Sequence, residues 1–112
     1  MLIFFFFFLK KGKSLIYYLF INIHMNEKYN VYLVSDSTGE TLDRIFLSLK
    51  SQFANFDYEK KEFAFIRTEQ QIDKIIKECI ELENSLILYT IVETKLAKYI
   101  SNQSEKNNVP CF

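Results

Sequence analysis

The sequence predicts an α/β domain built on a parallel sheet, with strands and helices alternating along the chain. Three observations carry that reading. Short β-rich apolar runs alternate with stretches whose apolar residues recur at helical spacing, and the connections between them are short and polar. The longest β-prone run, Leu86-Ile87-Leu88-Tyr89-Thr90-Ile91-Val92, has no polar alternation, which marks a central strand covered on both faces. Such alternation implies parallel strands joined by right-handed crossovers, and 112 residues hold one small domain.

Residues 1–24 stand outside this pattern. They form two apolar runs, residues 1–9 and 15–23, split by Lys10-Lys11-Gly12-Lys13-Ser14. Neither run reaches the roughly 20 apolar residues a spanning helix needs, and lysines at the midpoint of a span are costly. No small-x-small cleavage site follows, where Asn22-Ile23-His24-Met25 stand. The segment holds half of the 12 phenylalanines and none of the 14 acidic residues. The expectation is that residues 1–24 are not part of the working protein and that Met25 begins it, a membrane anchor being the alternative. Gly12-Lys13-Ser14 copies the tail of a phosphate-binding loop. That motif needs a glycine five positions earlier, where Phe7 stands, and the only other glycine is Gly39.

The regular pattern starts at Asn30. Val31-Tyr32-Leu33-Val34 reads as a buried parallel strand, and Leu42, Ile45, Phe46, Leu49 and Phe53 then line one face of a helix. Residues 55–61 read as a polar connection, and Phe63-Ala64-Phe65-Ile66 as the second strand. Ile72, Ile75, Ile76, Cys79 and Ile80 mark a second amphipathic helix, which leads into the run at residues 86–92. A third helix has Leu96, Tyr99 and Ile100 inward and fades at Asn107-Asn108, and Val109-Pro110-Cys111-Phe112 begins a fourth strand. The fold is expected to be truncated after the third helix.

Helix starts fit the same register. Ser37-x-x-Glu40 and Thr68-x-x-Gln71 both have capping-box spacing, and Thr94 is placed to cap the third helix. Each cap follows the carboxyl end of a strand, the edge where parallel sheets bind ligands because helix amino termini direct N–H groups there. Asp36, Ser37, Thr38, Arg67, Thr68, Thr90 and Glu93 are expected to gather along that edge. Capping and turn chemistry alone also accounts for their spacing.

Composition narrows the function classes. All 14 acidic residues and all but three of the 14 basic ones follow residue 24, with no Arg/Lys stripe, which speaks against a nucleic-acid partner. His24 is the only histidine and neither Cys79 nor Cys111 has ligand spacing, so no metal site is expected. Two thiols without a secretory pattern point to a reducing, cytoplasmic setting.

Val31-Tyr32-Leu33-Val34-Ser35-Asp36-Ser37-Thr38-Gly39-Glu40-Thr41 closely resembles the opening motif of the pyruvate, phosphate dikinase and phosphoenolpyruvate synthase regulatory proteins. Phe65-Ile66-Arg67-Thr68, Leu88-Tyr89-Thr90-Ile91-Val92 and Val109-Pro110-Cys111 are similar to that family in the same order. The resemblance covers residues 25–112 and none of the first 24. It implies a phosphotransferase that uses ADP to phosphorylate a threonine of the dikinase, and that reverses the modification with inorganic phosphate, releasing pyrophosphate. The partner implied is the dikinase or the synthase, and the small molecules implied are ADP and inorganic phosphate.

The family carries its nucleotide-binding loop in the carboxyl-terminal half, and no such loop occurs in these residues. Phosphoryl transfer depends on positioning and charge at the phosphates, so the chain is expected to be inactive by itself. What remains is Ser35, Asp36, Ser37, Thr38, Gly39 and Thr41 at a helix start, suited to hold a phosphate or phosphothreonine through N–H groups and hydroxyls. Asp36 is a candidate base or orienting group, and Gly39 allows close approach to the backbone. Arg67, Thr68, Thr90 and Glu93 are the candidate edge residues. The alternatives are a non-catalytic module that docks on the dikinase or on a separately encoded remainder, and an unrelated small nucleotide-binding protein.

Overall fold

The computed structural model describes residues 28–51 and 57–112. The expectations for residues 1–24, for a start at Met25 and for Phe53 on the first helix lie outside the described residues. Six elements alternate in order: β1 (Tyr29–Ser35), α1 (Glu40–Lys50), β2 (Tyr58–Phe63), α2 (Glu69–Glu81), β3 (Ser85–Thr90) and α3 (Thr94–Lys106). The three strands form one parallel sheet in the order β2-β1-β3, an α/β fold as the alternation implies.

The side-chain period of two along β1 sorts the core into two layers. Val31 and Leu33 face α1 with Leu86 and Leu88, and meet Leu42, Phe46 and Leu49. Tyr32 and Val34 face the other way with Ile87, against Ile72, Ile75, Ile76 and Cys79 of α2 and Leu96 and Ile100 of α3. Helices on both faces explain why β1 and β3 are apolar through their middles. Among the described residues no helix is long and apolar enough to cross a membrane.

β3 does have partners on both sides. β1 pairs along one, and on the other Ile87 bridges to Cys111 in parallel, with the Ile87 N–H donating to Pro110 O at 2.8 Å and the Tyr89 N–H to Phe112 O at 2.9 Å. The strand is shorter than residues 86–92, however. It ends at Thr90, and Val92 is 88% exposed.

The second strand shares only Phe63 with the apolar run Phe63-Ala64-Phe65-Ile66. It is Tyr58–Phe63, most of the stretch read as a polar connection. As the edge strand β2 needs no apolar cover on both faces, and charges on an edge blunt unwanted pairing. Its adjacent lysines point to opposite faces and each reaches a helix: Lys60 Nζ lies 2.7 Å from Asp43 of α1, and Lys61 pairs with Glu78 of α2. The apolar residues that follow make a turn in which Phe65 takes φ 54°. Ile80 also departs from expectation at 56% exposed, because Ile72, Ile75, Ile76 and Cys79 already complete the stripe that meets the sheet.

Candidate functional site

Strand order reverses between β1 and β3, and in parallel sheets the crevice at the carboxyl end of such a switch point is where ligands bind. Here the register sets Ser35 opposite Thr90. The buried Ser35 hydroxyl accepts the Ser37 N–H at 3.1 Å and the Thr90 hydroxyl at 3.2 Å, and lies 3.1 Å from the Ser37 hydroxyl. Three hydroxyls thus run from the interior of the sheet to exposed Ser37.

Asp36 joins three connections. Its N–H donates to Thr90 O at 3.2 Å, and its carboxylate Oδ2 accepts the Val92 N–H at 2.7 Å, which holds the loop between β3 and α3. Its carbonyl accepts from the Arg67 guanidinium. The same Arg67 nitrogen donates to Ile66 O at 3.1 Å, and the guanidinium carbon lies 6.0 Å from the Phe65 ring centre. The chain after β2 is tied to β1 by Phe65 N–H to Ser37 O and Ile66 N–H to Ser35 O, both 3.0 Å. Ser35, Asp36, Ser37, Arg67 and Thr90 are therefore linked by hydrogen bonds at this edge.

The caps differ from expectation in two of three helices. On α2 the box is complete: Thr68 Oγ1 accepts the Gln71 N–H at 3.2 Å and Gln71 Oε1 accepts the Thr68 N–H at 3.0 Å. On α3 the cap is Glu93, whose carboxylate accepts from Lys95 and Leu96 N–H at 3.0 and 2.7 Å, and Thr94 is the first helical residue. On α1 no capping box forms. Gly39 is the N-cap at φ 86°, no side chain caps the turn, and Ser37 bonds to Ser35 instead. A side chain at 39 would meet nothing within 4 Å, so the left-handed backbone, not crowding, calls for glycine.

This difference matters chemically. Thr68 takes one first-turn amide of α2, that of Gln71, and Glu93 takes two of α3, whereas among the described residues the one side-chain contact on α1 is a long 3.4 Å approach of the Glu40 N–H to Thr38 Oγ1. Among the described residues no N-cap side chain covers the first turn of α1, and its positive dipole end lies at the same carboxyl edge of the parallel sheet as Arg67. Thr41 stands exposed in that first turn, and Thr68 and Glu93 are committed to their caps.

The sequence reading did not single out Val92 or the conformation of Phe65; no local pattern marks a residue recruited through its backbone N–H. Cys79 is no nucleophile candidate, because burial pushes its thiol up to about 12. Among the described residues no group of three His, Cys, Asp or Glu could hold a metal ion.

Residues 31–112 match the sequence model of the kinase/pyrophosphorylase family. The chain is 51% identical over 88 residues to a protein of Pelagibacter ubique (strain HTCC1062) named as a pyruvate, phosphate dikinase regulatory protein, a match covering 79% of this chain and 32% of that one. A protein of the same name from Alkaliphilus metalliredigens (strain QYMF) is 38% identical over 84 residues, 75% of this chain and 30% of its own length. One from Halothermothrix orenii is 34% identical over 85 residues, 76% and 31% of the two chains. The chain spans about a third of the length of these curated relatives.

Proposed function

The chain belongs to the kinase/pyrophosphorylase family, and from that premise we propose that its sheet edge forms the phosphoryl- and acceptor-binding side of an ADP-dependent protein kinase that also reverses its own modification. The target on this reading is the threonine of a pyruvate, phosphate dikinase, the enzyme after which the relatives are named, in the cytoplasm. In the forward step the threonine hydroxyl attacks the β-phosphorus of ADP, the bond to AMP breaks and the hydroxyl proton leaves to a base. In the reverse step inorganic phosphate attacks the phosphothreonine phosphorus, the Oγ–P bond breaks and pyrophosphate departs. Both steps place a threonine side chain and an anionic phosphoryl group at one point.

The observation that carries the reading is the uncapped first turn of α1 beside Ser37 and Arg67 at the β1–β3 switch point. The α1 amides and the Arg67 guanidinium supply donors and positive charge to the phosphoryl oxygens. Ser37 adds a hydroxyl whose direction is set by the Ser35–Thr90 pair. Asp36 acts as the orienting group, since its carboxylate holds the Val92 N–H at 2.7 Å. Neither glycine of the chain belongs to a phosphate-binding loop, so on this reading the phosphates of ADP are held by the part of the family's length that these residues do not span. That same observation favours a second reading, a binding module that docks on the dikinase without turnover.

Titration of the chain with a fluorescent phosphothreonine peptide tests the proposal. Saturable binding is expected, competed by inorganic phosphate and weakened about tenfold by Arg67→Ala or Ser37→Ala, the loss of one charge-assisted hydrogen bond. Incubation of the 112-residue chain with ADP and dikinase should give no phosphothreonine. Absence of peptide binding would refute the acceptor edge, and ADP-dependent phosphorylation by this chain would refute the separate nucleotide loop.

A further inference from the structure

Two large apolar side chains stand in solvent on this same edge, Val92 at 88% and Phe65 at 56% exposed. Phe65 is held at φ 54°, a region that L side chains with a Cβ avoid and that a bulky aromatic residue enters only under constraint. The constraint is the pair of backbone bonds to Ser37 O and Ser35 O. They carry Ile66 into the core and leave the Phe65 ring outside, under the Arg67 guanidinium. Val92 arrives from the other side, through its N–H on the Asp36 carboxylate, while Arg67 reaches the carbonyl of the same residue. Asp36 thus ties an aromatic ring, a guanidinium and an aliphatic side chain into one exposed strip. Among the described residues no carboxylate lies within ion-pair distance of Arg67.

We propose that Phe65 and Val92 form an apolar ledge flanking Arg67, on which an extended polypeptide lies with its phosphorylated hydroxyl at Arg67 and large apolar side chains beside it. The inference rests on the acceptor-edge reading above and adds what reads the residues next to the phosphorylated one. Charge complementarity selects the occupant: a guanidinium with no carboxylate partner among the described residues, on an edge that also exposes two apolar side chains, matches an anionic phosphoryl flanked by apolar side chains. One face of the Phe65 ring already carries the guanidinium and Val92 offers no π face, so the strip suits aliphatic neighbours better than a nucleobase.

The test uses two fluorescent peptides with a central phosphothreonine, one flanked by leucines and one by glycines, together with inorganic phosphate. The variants are Phe65→Asn, which suits the left-handed backbone, and Val92→Ser. Each should weaken the leucine-flanked peptide about five- to tenfold, as burial of part of one apolar side chain implies, and leave the glycine-flanked peptide and phosphate within twofold. Both variants should melt no lower than the parent chain, because neither side chain is in the core. Equal losses for both peptides, or none for either, overturn the ledge and leave the acceptor edge standing. A concentration-dependent dimer abolished by the same substitutions also overturns it, making the strip a contact between copies. If neither phosphopeptide binds the parent chain, the acceptor edge falls too.

Discussion

Thr68→Ala and Ser37→Ala should have opposite consequences, although both residues open a hydroxyl-x-x-carboxylate or amide pattern of the same spacing. Thr68 Oγ1 accepts the Gln71 N–H at 3.2 Å, while Gln71 Oε1 takes the N–H groups of Arg67 and Thr68 at 2.7 and 3.0 Å. Removing a threonine cap costs about 1 kcal/mol, and the solvent around this exposed turn rehydrates the freed amide, so the lower half of the usual range of about 0.5–2 kcal/mol applies. In a domain of this size, about 1 kcal/mol lowers the melting temperature by roughly 4–8 °C. Ser37 caps no helix, and among the described residues its exposed hydroxyl contacts only Ser35, so its loss should stay within about 0.5 kcal/mol. Urea unfolding followed by circular dichroism at 222 nm separates the two, since about 1 kcal/mol moves the midpoint by several tenths of a molar or more. Ser37→Ala should instead appear as weaker phosphothreonine binding. Equal destabilisation by the two substitutions would refute the reasoning, because it would place Ser37 on the first turn of α1.

Two further outcomes follow from charge and burial. The hydrogen bond from Lys60 holds the Asp43 carboxyl below its ordinary value of 3.8, and the same bond holds Lys60 above its ordinary 10.5. A depressed carboxyl stabilises the fold fully above its unfolded value and loses that contribution as pH falls through the folded one; a raised ammonium stabilises fully below its unfolded value and loses it as pH rises through the folded one. With both side chains about a third exposed, a Lys60→Met and Asp43→Asn double-mutant cycle should give a coupling of about 0.5 kcal/mol at pH 7 that shrinks as the pH falls through the depressed Asp43 value and in high salt. Coupling that held steady on acidification would contradict the pairing. Cys79 should resist iodoacetamide at pH 8 in the folded chain and react in urea, read by mass spectrometry; rapid labelling without denaturant would show that the α2 layer is open.

The family itself was legible in residues 31–41, because a contiguous motif needs no tertiary information, and the comparisons with relatives bear it out. The same holds for elements whose signal is local. β1 and β3 are covered on both faces and read as unbroken apolar runs, and α2 announces itself by a capping box and a complete stripe; residues 109–112, read as the start of a fourth strand, make one isolated parallel bridge from Cys111 to Ile87.

What the sequence could not show depends on who lies beside whom. β2 is an edge strand, stabilised by pairing to β1 and by lysines that reach Asp43 and Glu78, so its own residues carry no apolar signal, and the apolar run after it became a turn. Ser37 matched a cap by spacing but bonds to Ser35, whose hydroxyl also accepts from Thr90, a partner 55 positions from Ser35 that arrives only through the β1–β3 register. Arg67 reaches Asp36 across 31 positions because the strand order sets the end of β2 next to β1. Local periodicity and short motifs determined β1, the helices, most of β3 and the family, since their energetics are settled within a few residues; strand order decided β2 and the candidate site, since their hydrogen bonds join groups that only the folded sheet brings within reach.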